Sequence, residues 1–453
     1  MSFRKDFVWG AAAASYQIEG AAFEDGKGLS VWDMYCRQEG RIFEGHTGEV
    51  ACDHYHRYAE DVALMKQMGL AAYRLSICWP RVLPAGVGAV NAKGLEFYDR
   101  LVDELLAAGI EPWVTLFHWD YPYELYCRGG WLSPESSDWF AEYTRVVVDA
   151  LSDRVSHWMT LNEPQCFIGL GHDDDMHAPG VKLGFAEVLR ACHNVLLSHG
   201  KAVQVIRAHG KKPSIVGYAP VAGVVAPATN DPADVEAARR ATFAVDEKNI
   251  IKNAWWSDPV MLGHYPQDGL ELFAAEMPPI ADGDMETIAQ PLDFYGGNHY
   301  RGLTAHAGPD GQAVIHKDAP GCPATAFKWP VTPECFYWLA KFLYERYEKP
   351  IVITENGMAN VDWVSLDGKV HDPQRIDYTA RYLKQLKRAV ADGVDVAGYF
   401  HWSLMDNFEW AEGYSQRFGL VHVDYATQKR TLKDSALWYR DVIASNGEDI
   451  DGQ

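Results

Sequence analysis

No apolar run in this chain approaches the roughly 18 residues that would mark a membrane span. The opening MSFRKDFVWG has neither the apolar core nor the small-residue cleavage site of a secretory signal. The expectation is a cytoplasmic protein. Cysteine is scarce and scattered, eight residues at positions 36, 52, 78, 127, 166, 192, 322 and 335, with no CxxC pair to suggest zinc binding or redox exchange. Free thiols in a reducing compartment follow. Basic charge is short as well, 41 Lys and Arg against 62 Asp and Glu, a formal −21. Such a surface favours solubility and repels nucleic acid, anionic membrane and polyanionic substrates, leaving a small neutral molecule as the expected partner. There is no phosphate-cradling glycine loop, dinucleotide fingerprint, repeat or long linker. Residues 1–453 therefore read as a single catalytic domain of α/β class, with no cofactor implied and no oligomeric state specified.

Aromatic residues are abundant, with 16 Trp and 23 Tyr. Part of that excess is core, and aromatic faces also stack on the apolar C–H faces of sugars. Hydrophobic residues at 48% and charged residues at 23% are ordinary for a globular enzyme. Eight strand-like apolar runs recur along the chain, at 7–17, 71–79, 111–119, 156–163, 213–221, 292–300, 350–357 and 396–404. Between them lie amphipathic stretches such as 56–69, 92–109 and 377–393, each ending at glycine. Eight β-then-α units predict a closed (β/α)8 TIM barrel with elaborated βα loops. Functional side chains gather at the C-terminal strand ends of such barrels. Here those ends offer Gln17, Arg74, His118, Asn162 with Glu163, Asn298 with Tyr300, Glu355 and Trp402. The long segments 165–185, 301–333 and 405–430 are expected to wall the site.

Two of these ends carry the chemistry. TLNEP (160–164) and ITENG (353–357) each close a buried run with a glutamate flanked by an asparagine, and Pro164 and Gly357 stop the strands just beyond. One carboxylic acid can protonate a glycosidic oxygen while the other carboxylate attacks the anomeric carbon or activates water toward it. The residues alone leave both routes open. Metal ligation is a weaker reading. His54 and His56 in DHYHRY, two apart on a helix, face different ways and suit hydrogen bonding, and the HDDDMH group (172–177) reads as a solvated loop.

The chain closely resembles family 1 glycoside hydrolases, the β-glucosidase family of retaining enzymes. FVWGAAAASYQIEG, DHYHRY, YRLSICWPR, FHWD, TLNEP, HAPG, ITENG and FHWSLMDNFEW match that family's pattern in order over almost the whole length. The resemblance implies that Glu163 is the acid/base and Glu355 the nucleophile, with Arg74 and Tyr300 stabilising the ionised nucleophile. It implies sugar contacts by Gln17, His118, Asn162, Trp402, Glu409 and Trp410, with Trp119, Asn298 and Phe418 completing the pocket and Trp329 as the aglycone platform. It implies no metal. Retention needs carboxyls roughly 5–5.5 Å apart, whereas inversion needs roughly 6.5–9.5 Å, and the shorter separation is expected. Glu163 must hold a proton near neutrality, a rise from about 4.3 to about 6.

Glu409 would repel phosphate, so the chain resembles the branch acting on unphosphorylated sugars, chiefly β-D-glucosides, with β-fucosides and β-galactosides as side substrates. Glu163 separates it from the thioglucosidase branch, which replaces that residue. Departures fall on the aglycone side. Gln165 stands where the family has tryptophan and His299 where it has tyrosine, and Asp173, Asp174 and Asp175 lie in the 166–180 loop. Those polar residues suggest altered titration of Glu163, and Gln165 with His299 suggest a free sugar acceptor and transglycosylation. The rival readings are a sugar-binding barrel without catalysis and a metal-dependent barrel hydrolase.

Overall fold

The computed structural model describes residues 3–450. Eight parallel strands close into a barrel: β1 (Val8–Ala12), β2 (Ala72–Ser76), β3 (Glu111–Phe117), β4 (His157–Asn162), β5 (Ile215–Ala219), β6 (Phe294–Asn298), β7 (Ile351–Asn356) and β8 (Val396–Trp402). Each lies inside one of the eight apolar runs. The ring closes between its first and last members, with β1 paired to β8 from Val8↔Gly398 to Ala12↔Trp402. One run needs correction at its end. The strand in 7–17 stops at Ala12 and Ser15–Ile18 is a helical turn, so Gln17 comes from a helix and not from a strand end.

The helices expected at 56–69, 92–109 and 377–393 form as His54–Gln67, Ala92–Ala107 and Pro373–Ala391. Their stop signals work as the sequence suggests: Gly69, Gly109 and Gly393 follow with positive φ of 67°, 80° and 90°. In Ala92–Ala107 the buried Phe97, Tyr98, Leu101, Val102 and Leu105 recur at three- and four-residue spacing, which puts one apolar stripe against the barrel wall. Among the described residues no helix is long and apolar enough to cross a membrane.

The barrel is filled by a cluster that includes Ala12, Ala72, Trp113, Met159, Ala219, Phe294, Val352 and Phe400. Large rings fit because small residues face them. A Cβ on Gly217 would come within 2.2 Å of the Phe294 ring, and one on Gly10 within 2.5 Å of Phe400. The same cluster continues upward through Trp402, Phe418, Tyr300 and Trp329. The packed core and the wall of the cleft are therefore one body.

A second, ionic core lies behind the ends of β7 and β8. Arg375 bonds Asp362 (2.7 Å) and Asp372 (2.6 Å), and Lys433 bonds Asp362 and Asp406 (2.6 Å each), all with fully buried side chains. Removing one member would strand a buried charge at a cost of about 3–5 kcal/mol. The cluster thus fixes the segments that follow β7 and β8 against the helix Pro373–Ala391.

Gly217→Ala is expected to lower stability by about 1–3 kcal/mol through overpacking on Phe294. The check is a denaturant midpoint that falls with unchanged m-value; an unchanged midpoint would show that the ring yields freely.

Candidate active site

The two candidate glutamates sit where the barrel's regular pairing breaks. β4 shifts register against β5 between Met159 and Asn162, and β7 shifts against β6 between Ile353 and Glu355 and against β8 between Ile353 and Asn356. In a regular strand alternate side chains share a face, so an irregularity just before the last residues re-aims them toward the barrel mouth. Glu163 is turned further by its backbone. Its φ is +46°, which ends the strand, and Pro164 after it opens the short helix Pro164–Ile168. Trp119 (φ +79°) and Trp410 (φ +50°) share this left-handed region. Each such residue costs about 1–3 kcal/mol and persists because the surroundings over-determine it.

Arg74, projecting from β2 and 1% exposed, is the central cation. Its guanidinium donates to Glu355 Oε1 (2.5 Å), to the Thr354 carbonyl (3.2 Å) and to Asn162 Oδ1 (2.5 Å). The Tyr300 hydroxyl donates to Glu355 Oε2 (2.6 Å), and the Tyr300 carbonyl is held by the hydroxyls of Tyr378 (3.0 Å) and Tyr382 (3.1 Å). Glu163 Oε1 accepts from the amide of Asn298 (2.9 Å), which also donates to Asn162 Oδ1 (3.0 Å) while its own oxygen accepts from Thr354 Oγ1 (2.6 Å).

These dressings set unequal proton affinities. Burial pushes the Glu163 carboxyl up, the negative Glu355 pushes it further, and it reaches about 7. Burial also raises Glu355, but the Arg74 cation and the Tyr300 and Arg74 hydrogen bonds oppose it. The ionised member of the pair is therefore Glu355. Tyr300 stays protonated, its pKa raised first by burial and then by Glu355.

Around the pair lie the polar groups expected to meet a ligand. The His118 pKa falls well below its ordinary value through burial and the nearby Arg74 charge, so the ring is neutral. Asn162 Nδ2 donates to His118 Nε2 (3.0 Å), which leaves the ring proton on Nδ1. The Asn162 amide has one N–H remaining for a ligand. The Gln17 amide donates to Asn407 Oδ1 (3.1 Å), the Phe408 carbonyl (3.0 Å) and Glu409 Oε2 (3.3 Å). Glu409 is raised to about 8 by burial, then by Glu355 and Glu163. Trp119 donates its indole N–H to the Asn162 carbonyl (3.0 Å) and packs on Trp410 with ring centroids 4.5 Å apart. Trp402 stacks toward His118 (5.8 Å), and Trp329 packs against Tyr300 (5.2 Å) and Phe418 (6.1 Å). Twelve of the fourteen residues singled out from the sequence thus fall into one connected cluster of hydrogen bonds and ring contacts, and the other two, Gln17 and Glu409, are bonded to each other beside it, Glu409 preceding Trp410 in the chain.

The chain that builds this site has clear counterparts. A model of glycosyl hydrolase family 1 matches residues 1–448. This chain belongs to glycosyl hydrolase family 1. Similar curated family members include β-glucosidase A of Thermotoga maritima, 45% identical over 98% of each chain. Another is the 1,4-β-D-glucan glucohydrolase of Thermotoga neapolitana, 45% identical over 98% of this chain and 99% of the relative. A solved structure of a Thermotoga maritima β-glucosidase in complex with glucoimidazole superimposes with a TM-score of 0.90 at 44% identity, covering 98% and 99% of the two chains.

Against that family pattern, three expectations change. Gln165 and His299 are buried and turned to backbone. Gln165 bonds the Val221 carbonyl (3.0 Å) and accepts from the Val221 N–H (3.2 Å), while His299 Nδ1 meets the Ala222 carbonyl (2.7 Å) and its ring stacks on Phe336. Neither presents polarity to an acceptor sugar, so the basis for transglycosylation drawn from them is removed. The raised pKa of Glu163 comes chiefly from burial and Glu355, not from Asp173–Asp175. The HDDDMH group is not simply a solvated loop: Gly169–Asp173 forms a π-helical turn, His172 is buried on the Phe167 carbonyl (2.9 Å), and His177 packs against Trp32 and Trp119. His54 and His56 hydrogen-bond Asp61 (2.8 Å) and Asp53 (2.6 Å), as their spacing suggests.

Sequence reasoning missed Thr354, which orients Asn298, and Asn407, which anchors Gln17. Thr354 precedes the ITENG glutamate directly, and a buried hydroxyl in an otherwise apolar strand was the available signal.

The Glu163 carboxyl is expected to titrate near 7 in the free protein and about one unit or more lower in Glu355→Gln, because a like charge is lost while Arg74 remains. Difference infrared or carbon-13 NMR spectroscopy of the labelled carboxyl reads this; an unshifted value would mean that burial alone sets it.

Proposed function

We propose that this chain is a retaining β-glucosidase in which Glu163 is the acid/base and Glu355 the nucleophile. The observation that carries the reading is the unequal dressing of two buried carboxyls, one held ionised by Arg74 and Tyr300, the other protonated up to about 7. In the first step Glu355 attacks the anomeric carbon while Glu163 gives its proton to the glycosidic oxygen, and the aglycone leaves. The covalent glycosyl ester carries no charge on Glu355, so one cause of the raised Glu163 pKa disappears and that carboxylate becomes a base. It then takes a proton from water as the water oxygen attacks the anomeric carbon, the bond from that carbon to Glu355 breaks, Glu355 leaves as the carboxylate, and the β configuration is restored.

Gln17 and Glu409 suit adjacent hydroxyls of the glycone, the free N–H groups of His118 and Asn162 suit single hydroxyls, and Trp402 offers an apolar face. Glu409 supports unphosphorylated sugars, since it puts an acid, neutral below about pH 8 and anionic above it, where a phosphate would need a cation. The name of the Thermotoga neapolitana relative supports β-1,4-linked gluco-oligosaccharides and a place in cellulose breakdown. β-Galactosides and β-fucosides, which differ from glucosides at one and two hydroxyls respectively, are side substrates. We further propose that the whole chain acts as one catalytic unit, a reading supported by closure of β1 on β8. A cytoplasmic setting is supported by the absence of disulfides among its cysteines.

Incubation with a 2-deoxy-2-fluoro-β-glucoside is expected to add one glycosyl mass to the peptide containing Glu355; turnover without that adduct would overturn the nucleophile assignment. Glu163→Gln should lose about 100-fold or more in rate on alkyl glucosides and far less on aryl glucosides with good leaving groups. In the intact enzyme kcat/KM should fall as pH rises through about 7, where Glu163 gives up the proton the first step requires.

A further inference from the structure

The loop after β7 carries an exposed apolar group that nothing above employs. Val361 is 71% exposed, Trp363 is 66% exposed and Leu366 is fully exposed, in a stretch of six residues. Exposed apolar residues scattered singly need no explanation, but four in one loop, counting the exposed Val364 and with a tryptophan among them, do. The loop is not loose. Asp362, between Val361 and Trp363, is fully buried on Arg375 (2.7 Å) and Lys433 (2.6 Å), and a tight turn closes beyond it where the Ser365 N–H donates to the Lys369 carbonyl (2.7 Å). Its neighbours are thereby held outward on a fixed backbone.

The stem of this loop belongs to the cleft. Ala359 lies in the apolar wall with Trp402 and Phe418, and its carbonyl accepts from the N–H of Ala326 (3.1 Å), one residue before Phe327, which packs on Trp329. The Asn360 N–H donates to the carbonyl of Arg417 (3.0 Å), the residue before Phe418. Trp363 is thus four residues from the wall of the site, at the mouth side of the barrel, on a loop whose stem is bonded to the segment that presents the aglycone platform. A water-exposed indole on a backbone anchored in this way is suited to the apolar face of a neutral pyranose.

We propose that Trp363 forms an outer subsite that stacks on a sugar beyond the unit lying at Trp329, giving preference to β-linked gluco-oligosaccharides of three or more units. This rests on the β-glucosidase reading above. The test compares kcat/KM of the intact enzyme and Trp363→Ala on an aryl β-glucoside, cellobiose, cellotriose and cellotetraose, with the native mass of both proteins measured in parallel. The expected result is a loss of about five- to tenfold on cellotriose and cellotetraose, less than about twofold on the two shorter substrates, and recovery in Trp363→Phe. An equal loss on all four, or none on any, overturns the subsite. A fall in native mass with an unchanged chain-length profile also overturns it and assigns the patch to a second copy of the chain. If the intact enzyme hydrolyses none of the four, the β-glucosidase reading itself fails, and the subsite falls with it.

Discussion

Everything in the cleft is arranged around one buried cation. A guanidinium taken out of water is destabilising unless an anion and hydrogen-bond acceptors surround it. Arg74 reaches across the barrel mouth to Glu355 and the Thr354 carbonyl at the end of β7 and to Asn162 Oδ1 at the end of β4, neither of them a neighbour of β2. That requirement keeps Glu355 ionised inside a site whose burial favours the neutral acid. It also decides which way Asn162 faces, because only its oxygen can meet a guanidinium.

From Asn162 the polarity passes outward. With its oxygen committed to Arg74 and Asn298, the Asn162 nitrogen must donate to His118, and a neutral His118 must then accept at Nε2. Thr354 does the same for Asn298, whose oxygen it occupies so that the amide nitrogen points at Glu163. Donors and acceptors are thus assigned before any ligand arrives, and little reorganisation is left for the moment when charge moves. The two glutamates differ because one lies on the cationic side of this network and the other on the amide side.

The barrel itself was plain in the sequence, since parallel strands covered on both faces are continuous apolar runs, and the amphipathic stretches at 56–69, 92–109 and 377–393 end at readable glycine stops. The glutamates were readable because each closes such a run. What the sequence withheld was direction. Gln165 and His299 are polar and adjacent to site residues, yet they face backbone carbonyls, and nothing in their identity says so. The register shifts before Asn162 and Glu355 are equally silent, as is the left-handed backbone at Trp119, Glu163 and Trp410, which non-glycine residues seldom adopt. The ionic core was hidden for another reason: Asp362 meets partners 13 and 71 residues away, and only the closed fold brings them together.

The same site works against the stability of the fold that holds it. A carboxyl whose pKa is higher in the folded state binds its proton more tightly there, so it favours folding at low pH and loses that advantage as pH rises from its unfolded value to its folded one. Glu163 moves from 4.5 to about 7 and Glu409 from 4.5 to about 8, so both withdraw stability across the range in which the enzyme is expected to work. Strained backbone at Glu163 and Trp410 adds to that burden. The compensation lies just outside the cleft, in rings packed against barrel glycines below and in Arg375 and Lys433 locked to Asp362, Asp372 and Asp406 behind. Neither support touches a substrate, and the loop bearing Trp363 is held by the second of them. A rigid scaffold of this kind is what allows like charges, strained residues and an exposed indole to keep fixed positions around one sugar-sized space.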